Sequence, residues 1–163
     1  LTPADILDPD REIAFPASVV EMLRGDLGQP PGGWPEGLVR KALKGETITI
    51  YGDGRQVRDV LWVDDLVTAF AKFIRSPLRH GVFNMGGGAA NTLSLRELVS
   101  YLEDATGRKL TVDFQPWRKF DQKVYVSDTR KVRKALTWAP TVSPREGVDR
   151  MVRWIAENRR LFE

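Results

Sequence analysis

The rhythm of apolar and polar positions changes along the chain, and the changes divide it. Residues 1–15 show little periodicity: Pro3 and Pro9 break them up, and Asp5, Asp8, Asp10 and Glu12 make them acidic. They read as loop or a short turn of helix. Pro16 suits the first turn of a helix, "PASVVEMLRGDLG", with Val19, Val20, Met22 and Leu23 as its apolar side and Gly25 or Gly28 as its stop. "GQPPGGWP" (28–35) is a cluster of breakers and predicts a linker, after which "EGLVRKALKG" predicts a short helix ending at Gly45.

From Thr47 the spacing becomes strand-like. "TITIYG" alternates, Gly52-Asp53-Gly54 turns, and "RDVLWV" predicts a second strand. "VDDLVTAFAKFIRSP" predicts an amphipathic helix capped by Asp64, with Leu66, Phe70, Phe73 and Ile74 on its inner face. "GVFNMG" reads as a short buried strand leading to the loop "GGGAANT". Ser94 and Glu97 form a capping box ahead of a helix that buries Leu95, Leu98, Val99 and Leu102. "KLTVDF" predicts a strand, and "VYVSD" an extended run into a helix capped by Asp128. Ser143 and Glu146 form a second capping box before a final helix facing inward through Val148, Met151, Val152 and Ile155. The alternation of strands and helices makes the fold class α/β: a small mixed sheet with packed helices, preceded by a helical N-terminal extension.

Composition narrows the function classes. The 163 residues are 42% apolar and 29% charged, enough for a domain with its own core. A net charge of +3 falls short of the basic stripe of a nucleic-acid binder, so no nucleic acid is expected as partner. Without cysteine, and with His80 as the single histidine, neither a thiolate metal site nor a zinc centre is expected. No apolar run approaches the roughly 18 residues of a membrane span. The N-terminus lacks a signal-peptide pattern, and the expected location is the cytoplasm.

Anion chemistry is the remaining candidate. Arg55 and Arg58 follow a Gly-rich bend with exposed backbone amides, and an arginine fork binds phosphate through two parallel hydrogen bonds. The plainer alternative is a surface pair between Arg58 and Asp59 or Asp64. In "PWRKFDQKVYVSD", Trp117 and Phe120 flank Arg118, and Asp121 follows three residues later; an arginine for phosphate and a carboxylate for a ribose diol would make a nucleotide clamp. An ordinary ion pair is the alternative here too. "NMGGGAANT" is not a dinucleotide loop, because the third position of G-x-G-x-x-G falls on Asn91. Arg150, Arg153, Arg159 and Arg160 read as a solvated face.

These residues carry a resemblance in two pieces. "ITIYGDGRQVRDVLWVDDL", "GVFNMGGGAANTLSLREL" and "WRKFDQKVYVSDTRKVRKALTWAPTVSPREGV" resemble the C-terminal part of extended short-chain dehydrogenases acting on nucleotide sugars, in the CDP-paratose 2-epimerase (CDP-tyvelose epimerase) branch, over about residues 43–163. The resemblance implies that Arg58 contacts a nucleotide diphosphate, that Arg118 and Asp121 contact diphosphate and ribose, and that Tyr51 lies near the base. The family pattern W-R-P-G-D-Q is altered here by Lys119 and Phe120, which puts the placement of Asp121 in question. "FPASVVEMLRGDLGQPPGGWP" resembles the conserved carboxylase region of pyruvate carboxylases, over about residues 1–46, without its metal barrel or biotinylated motif. The two likenesses meet at "KALKGE" (41–46), which marks the chain as chimera-like.

In these epimerases an NAD loop and a Tyr-x-x-x-Lys pair perform the chemistry. Within this chain Tyr51, Tyr101 and Tyr125 are followed four positions on by Arg55, Ala105 and Thr129, and no Gly-rich NAD loop appears. The expectation is therefore a nucleotide-sugar-binding lobe (47–163) behind a carboxylase-like segment (1–46). It has no catalytic residue and no cofactor of its own, although NAD is implied for the full-length family. The alternatives are a fold-only chimera without ligand and an oligomerisation module derived from the carboxylase. Self-association through exposed apolar surface is also expected, because the parent lobe packs against a further sheet.

Overall fold

The computed structural model describes residues 35–119 and 121–161. The helix expected within 16–28, the acidic stretch 1–15, the linker up to Trp34 and Phe120 lie outside the described residues. In chain order the elements are α1 (Glu36–Lys44), β1 (Ile48–Tyr51), β2 (Val57–Asp59), α2 (Val63–Arg75), β3 (Thr92–Ser94), α3 (Leu95–Thr106), β4 (Val112–Gln115), β5 (Val124–Tyr125), α4 (Arg130–Leu136) and α5 (Pro144–Glu157).

Helix α1 stops where the sequence predicts. Gly45 adopts φ +71°, and the N–H groups of Gly45 and Glu46 return to the carbonyls of Ala42 and Lys41. β1 buries Ile48 and Ile50 and turns Thr49 and Tyr51 the other way, as a half-buried strand should. It pairs in parallel with β4, Tyr51 lying opposite Gln115. A second sheet has the order β3-β2-β5, with β2 antiparallel to β3 and parallel to β5. α1, α3 and α5 pack together over β1. Val39, Ala42, Ile48, Leu98 and Leu102 have no exposed surface at all, and Val152 and Ile155 close the cluster. A smaller cluster of Ala69, Val132, Leu136 and Trp138 joins α2 to α4.

Asp65 ties α2 to the stretch before α5. Its carboxylate is buried and accepts hydrogen bonds from the N–H groups of Thr141 and Val142 (each 3.1 Å) and the Thr141 hydroxyl (2.6 Å). Its backbone carbonyl accepts from Trp138 Nε1 at 2.9 Å. Burial alone would raise the carboxyl pKa. The hydrogen bonds from Thr141 and Val142, with the charge of Arg150, outweigh it and hold the group below its ordinary value.

Several expectations are corrected. "GVFNMG" forms no strand and is not buried throughout: Val82 is 83% exposed. Its alternation is real, but among the described residues no neighbouring strand offers the backbone partners a ladder requires. Phe70 is exposed instead of inward, because it shares a helical stripe with Val63 and Val67 that turns away from Ala69. Trp62, not Asp64, is the N-cap of α2; the Asp64 carboxylate accepts Trp62 Nε1 from within the first turn, where a negative charge suits the helix dipole. β2 ends at Asp59, short of the expected "RDVLWV", and β3 occupies part of the expected loop. Thr129 holds the N-cap position of α4, although Asp128 does accept the Arg130 N–H at 3.1 Å. The first capping box is complete. In the second, Ser143 caps the Glu146 N–H, but Glu146 turns its carboxylate to Arg150 at 2.6 Å.

Candidate functional site

The site is built where the Gly52-Asp53-Gly54 bend meets the loop after β4. Parallel pairing carries β1 and β4 to the same end, and the Gly52 N–H continues the ladder to the Gln115 carbonyl at 2.8 Å. Gly52 has φ +89°, and a Cβ there would lie 2.5 Å from the Trp117 ring, so the indole rests directly on the backbone of the bend. Arg118, the next residue, stacks on Tyr51 with its guanidinium carbon 3.9 Å from the ring centroid.

Arg58 sits in the middle of β2, between Leu93 of β3 and Tyr125 of β5. One guanidinium nitrogen donates to the Val57 carbonyl at 2.9 Å and another to Asp121 Oδ1 at 3.1 Å, both side chains being about a quarter exposed. The surface pairs considered from the sequence do not form. Asp59 accepts the Gly88 N–H at 2.9 Å, and Asp64 is engaged with Trp62. The Asp121 N–H returns to the Arg118 carbonyl at 3.2 Å, so the altered loop still turns and still brings the carboxylate to Arg58. Arg55 is exposed; its backbone N–H bonds Asp53 Oδ1 at 2.9 Å.

The four expected residues, Tyr51, Arg58, Arg118 and Asp121, thus form two pairs, Arg58 with Asp121 and Arg118 with Tyr51. Beneath them lies Gln56, which sequence reasoning missed. It is buried, donates through Nε2 to the Tyr51 carbonyl at 2.6 Å, and leaves Oε1 without a partner. Arg96 was missed as well: its Nε donates to the Asp53 carbonyl at 2.6 Å and fastens the bend to α3. Neither residue stands in a pattern that signals the role, because both act on backbone carbonyls. Arg58 also lines an apolar cavity of about 340 Å³, together with Val60, Trp62, Leu93, Pro144 and Met151. Among the described residues no cluster of His, Asp and Glu could hold a metal ion, and no helix is long and apolar enough to cross a membrane.

The glycine loop packs closely against the end of β2 and the residue after it. A Cβ at Gly87 would lie 2.1 Å from the Val60 carbonyl, and one at Gly86 would meet Asp59 and Ser127. Of the arginines read as a solvated face, Arg150 is half-buried, its guanidinium 5.6 Å from the Trp62 ring.

Comparison with known proteins matches two families in one chain. A family model described as GDP-mannose 4,6 dehydratase matches residues 35–151, and one described as conserved carboxylase domain matches residues 1–65. Their overlap, 35–65, contains the "KALKGE" stretch. The CDP-paratose 2-epimerase of Salmonella typhi is 36% identical over 75% of this chain and 38% of its own length. The UDP-glucuronate 4-epimerase of Thermodesulfobacterium geofontis is 33% identical over 82% of this chain and 42% of its own. Among solved structures, the UDP-glucuronic acid 4-epimerase of Bacillus cereus, in complex with UDP-glucuronic acid and NAD, superposes with a TM-score of 0.72 at 27% identity, covering 79% of this chain and 41% of that one. The chain spans about two fifths of the length of these relatives.

Proposed function

The chain belongs, over residues 35–151, to the GDP-mannose 4,6 dehydratase family, and from that premise we propose that residues 47–163 are a nucleotide-sugar-binding lobe. In this reading Arg58 and Arg118 hold the diphosphate, Asp121 accepts from the ribose hydroxyls, and Tyr51 lies against the base. The ligand class is a nucleoside diphosphate sugar, with cytidine the favoured base. The lobe binds without performing chemistry by itself, since none of its tyrosines is followed by lysine four positions on.

The observation that carries the reading is convergence. Arg58 and Asp121 are 63 positions apart in sequence, yet they meet at 3.1 Å beside the Arg118–Tyr51 stack. Two guanidinium groups and one carboxylate form a donor-rich site for an anion, with an acceptor for a diol. An apolar cavity adjoins Arg58 and supplies space for the rest of a ligand.

The test is a thermal melt of the purified chain with CDP, UDP, dTDP or NAD, repeated with Arg58→Ala. A ligand present at 100 times its dissociation constant adds about 2.7 kcal/mol of stability. CDP is expected to raise the melting temperature, NAD to leave it unchanged, and Arg58→Ala to abolish the CDP shift while melting cooperatively. A cooperative melt that no nucleotide moves would refute the proposal and leave the fold-only reading standing.

A further inference from the structure

Two contacts of the proposed site need the same space. Tyr51 closes β1, whose Ile48 and Ile50 turn into the core, so its half-buried ring stands on the other side of the strand. The Arg118 guanidinium lies against that ring, its carbon 3.9 Å from the centroid, which is direct contact. A base stacking on this face would occupy the layer the guanidinium fills, and a guanidinium in this layer is spent on a ring instead of a diphosphate. Resting on the reading of residues 47–163 as a nucleotide-sugar-binding lobe, we propose that Arg118 couples the two ends of the nucleotide: it covers Tyr51 until a diphosphate draws it away, and the uncovered ring then takes the base.

The two arginines differ in how firmly they are held. Arg58 has an ion pair with Asp121 and a bond to the Val57 carbonyl, whereas Arg118 is exposed and among the described residues has no carboxylate partner. A cation–π contact at an exposed site is weak beside charge-assisted hydrogen bonds to phosphate, so a diphosphate outcompetes the ring for this guanidinium. The exchange is confined to one side chain. The Asp121 N–H holds the Arg118 carbonyl at 3.2 Å, and Trp117 is seated on Gly52, where a Cβ would lie 2.5 Å from the indole. Tyr51 is fixed as well, its carbonyl accepting from Gln56 Nε2 at 2.6 Å. Linkage is reciprocal: the affinity that a diphosphate adds for the base, the base adds for the diphosphate. A nucleoside without phosphates meets a covered ring, and the site thereby favours the joined nucleotide over either part.

The experiment is an NMR titration of the full chain with cytidine, followed at the Tyr51 ring resonances, alone and with saturating inorganic pyrophosphate. Pyrophosphate is expected to tighten cytidine binding about two- to fivefold, the worth of an exposed cation–π contact. Arg118→Ala should give cytidine the tighter affinity without pyrophosphate and remove its response to pyrophosphate, while the chain still melts cooperatively. Arg118→Lys keeps the charge but loses the planar head, and should retain only part of the coupling. Equal cytidine affinity with and without pyrophosphate in the wild-type chain, or a response that survives Arg118→Ala, would overturn the proposal. So would weaker cytidine binding in Arg118→Ala, since the base would then stack on the guanidinium itself. If CDP still raises the melting temperature, any of these results leaves the nucleotide site standing; a chain that CDP does not bind loses the site and the coupling together.

Discussion

Arg58 shows what a single residue reveals before and after folding. Its type and position mark it for an anion, but its partner Asp121 is reached only through the fold. In the proposed site that partner has two effects: it orients the guanidinium, and it competes with an incoming diphosphate for the same donors. Asp121→Asn is therefore expected to bind inorganic pyrophosphate several-fold more tightly while losing most of the preference for CDP over pyrophosphate. Titration calorimetry with both ligands measures this, and unchanged pyrophosphate affinity would mean that Arg58 does not receive the diphosphate. Tyr51, Arg118 and Asp121 were legible from their motifs. That Arg118 stacks on Tyr51, that Trp117 lies on Gly52, and that Gln56 holds the bend from below were not legible, because each contact depends on how the loop after β4 folds back.

At the level of elements, the carboxylates at helix starts are the most sensitive points. Glu97 is held below its ordinary pKa by hydrogen bonds from the Ser94 hydroxyl and then the Ser94 backbone, and Asp65 by its bonds to Thr141 and Val142 once the cost of burial is overcome. A carboxyl with a lowered folded pKa stabilises the fold above its unfolded pKa, and that stability is lost as the pH falls through the folded value. The melting temperature should thus be level at neutral pH and fall below about pH 4. Asp65→Asn should flatten that acid limb, measurable by melts across the pH range. Asp65→Ala leaves the buried Val142 N–H unpaired, at about 1–3 kcal/mol, and also strips Thr141 of its partner, and should destabilise far more. The Ser94–Glu97 capping box, the Ser143 cap and Gly45 were readable because they are local. The failure of "GVFNMG" as a strand was not, because pairing is a property of a neighbour.

For the whole molecule, the seam between the two family matches, residues 35–65, lies inside the packed core of the described residues. The sequence pattern placed Leu38, Val39, Ala42 and Leu43 where a packing helix needs them. Val39 and Ala42 have no exposed surface within the core formed with α3, α5 and β1, and Leu38 and Leu43 pack against it. Removing residues 1–34 is expected to leave a cooperative melt, whereas removing 1–46 should abolish it. The second deletion forfeits the burial of four apolar side chains, those of full size worth about 1.5–3 kcal/mol each, against a total stability of about 5–15 kcal/mol. Circular dichroism melts of the two truncations decide it; equal melts would mean that α1 adds nothing to the core.

By itself the amino-acid sequence determined the order and kind of most elements, the stop of α1 at Gly45, the Ser94 cap and the family of residues 35–151, and it singled out the four residues that the proposed site uses. These depend on neighbours a few positions apart or on motifs of linked residues, and such information survives in one dimension. Only the tertiary structure decided which carboxylate meets Arg58, that Asp65 is buried and shared between α2 and the stretch before α5, and that residues 81–85 form no strand with the other described residues. Each of those depends on groups 40 or more positions away, or on the absence of a neighbouring strand, and burial and pairing across such distances arise only when the chain has closed.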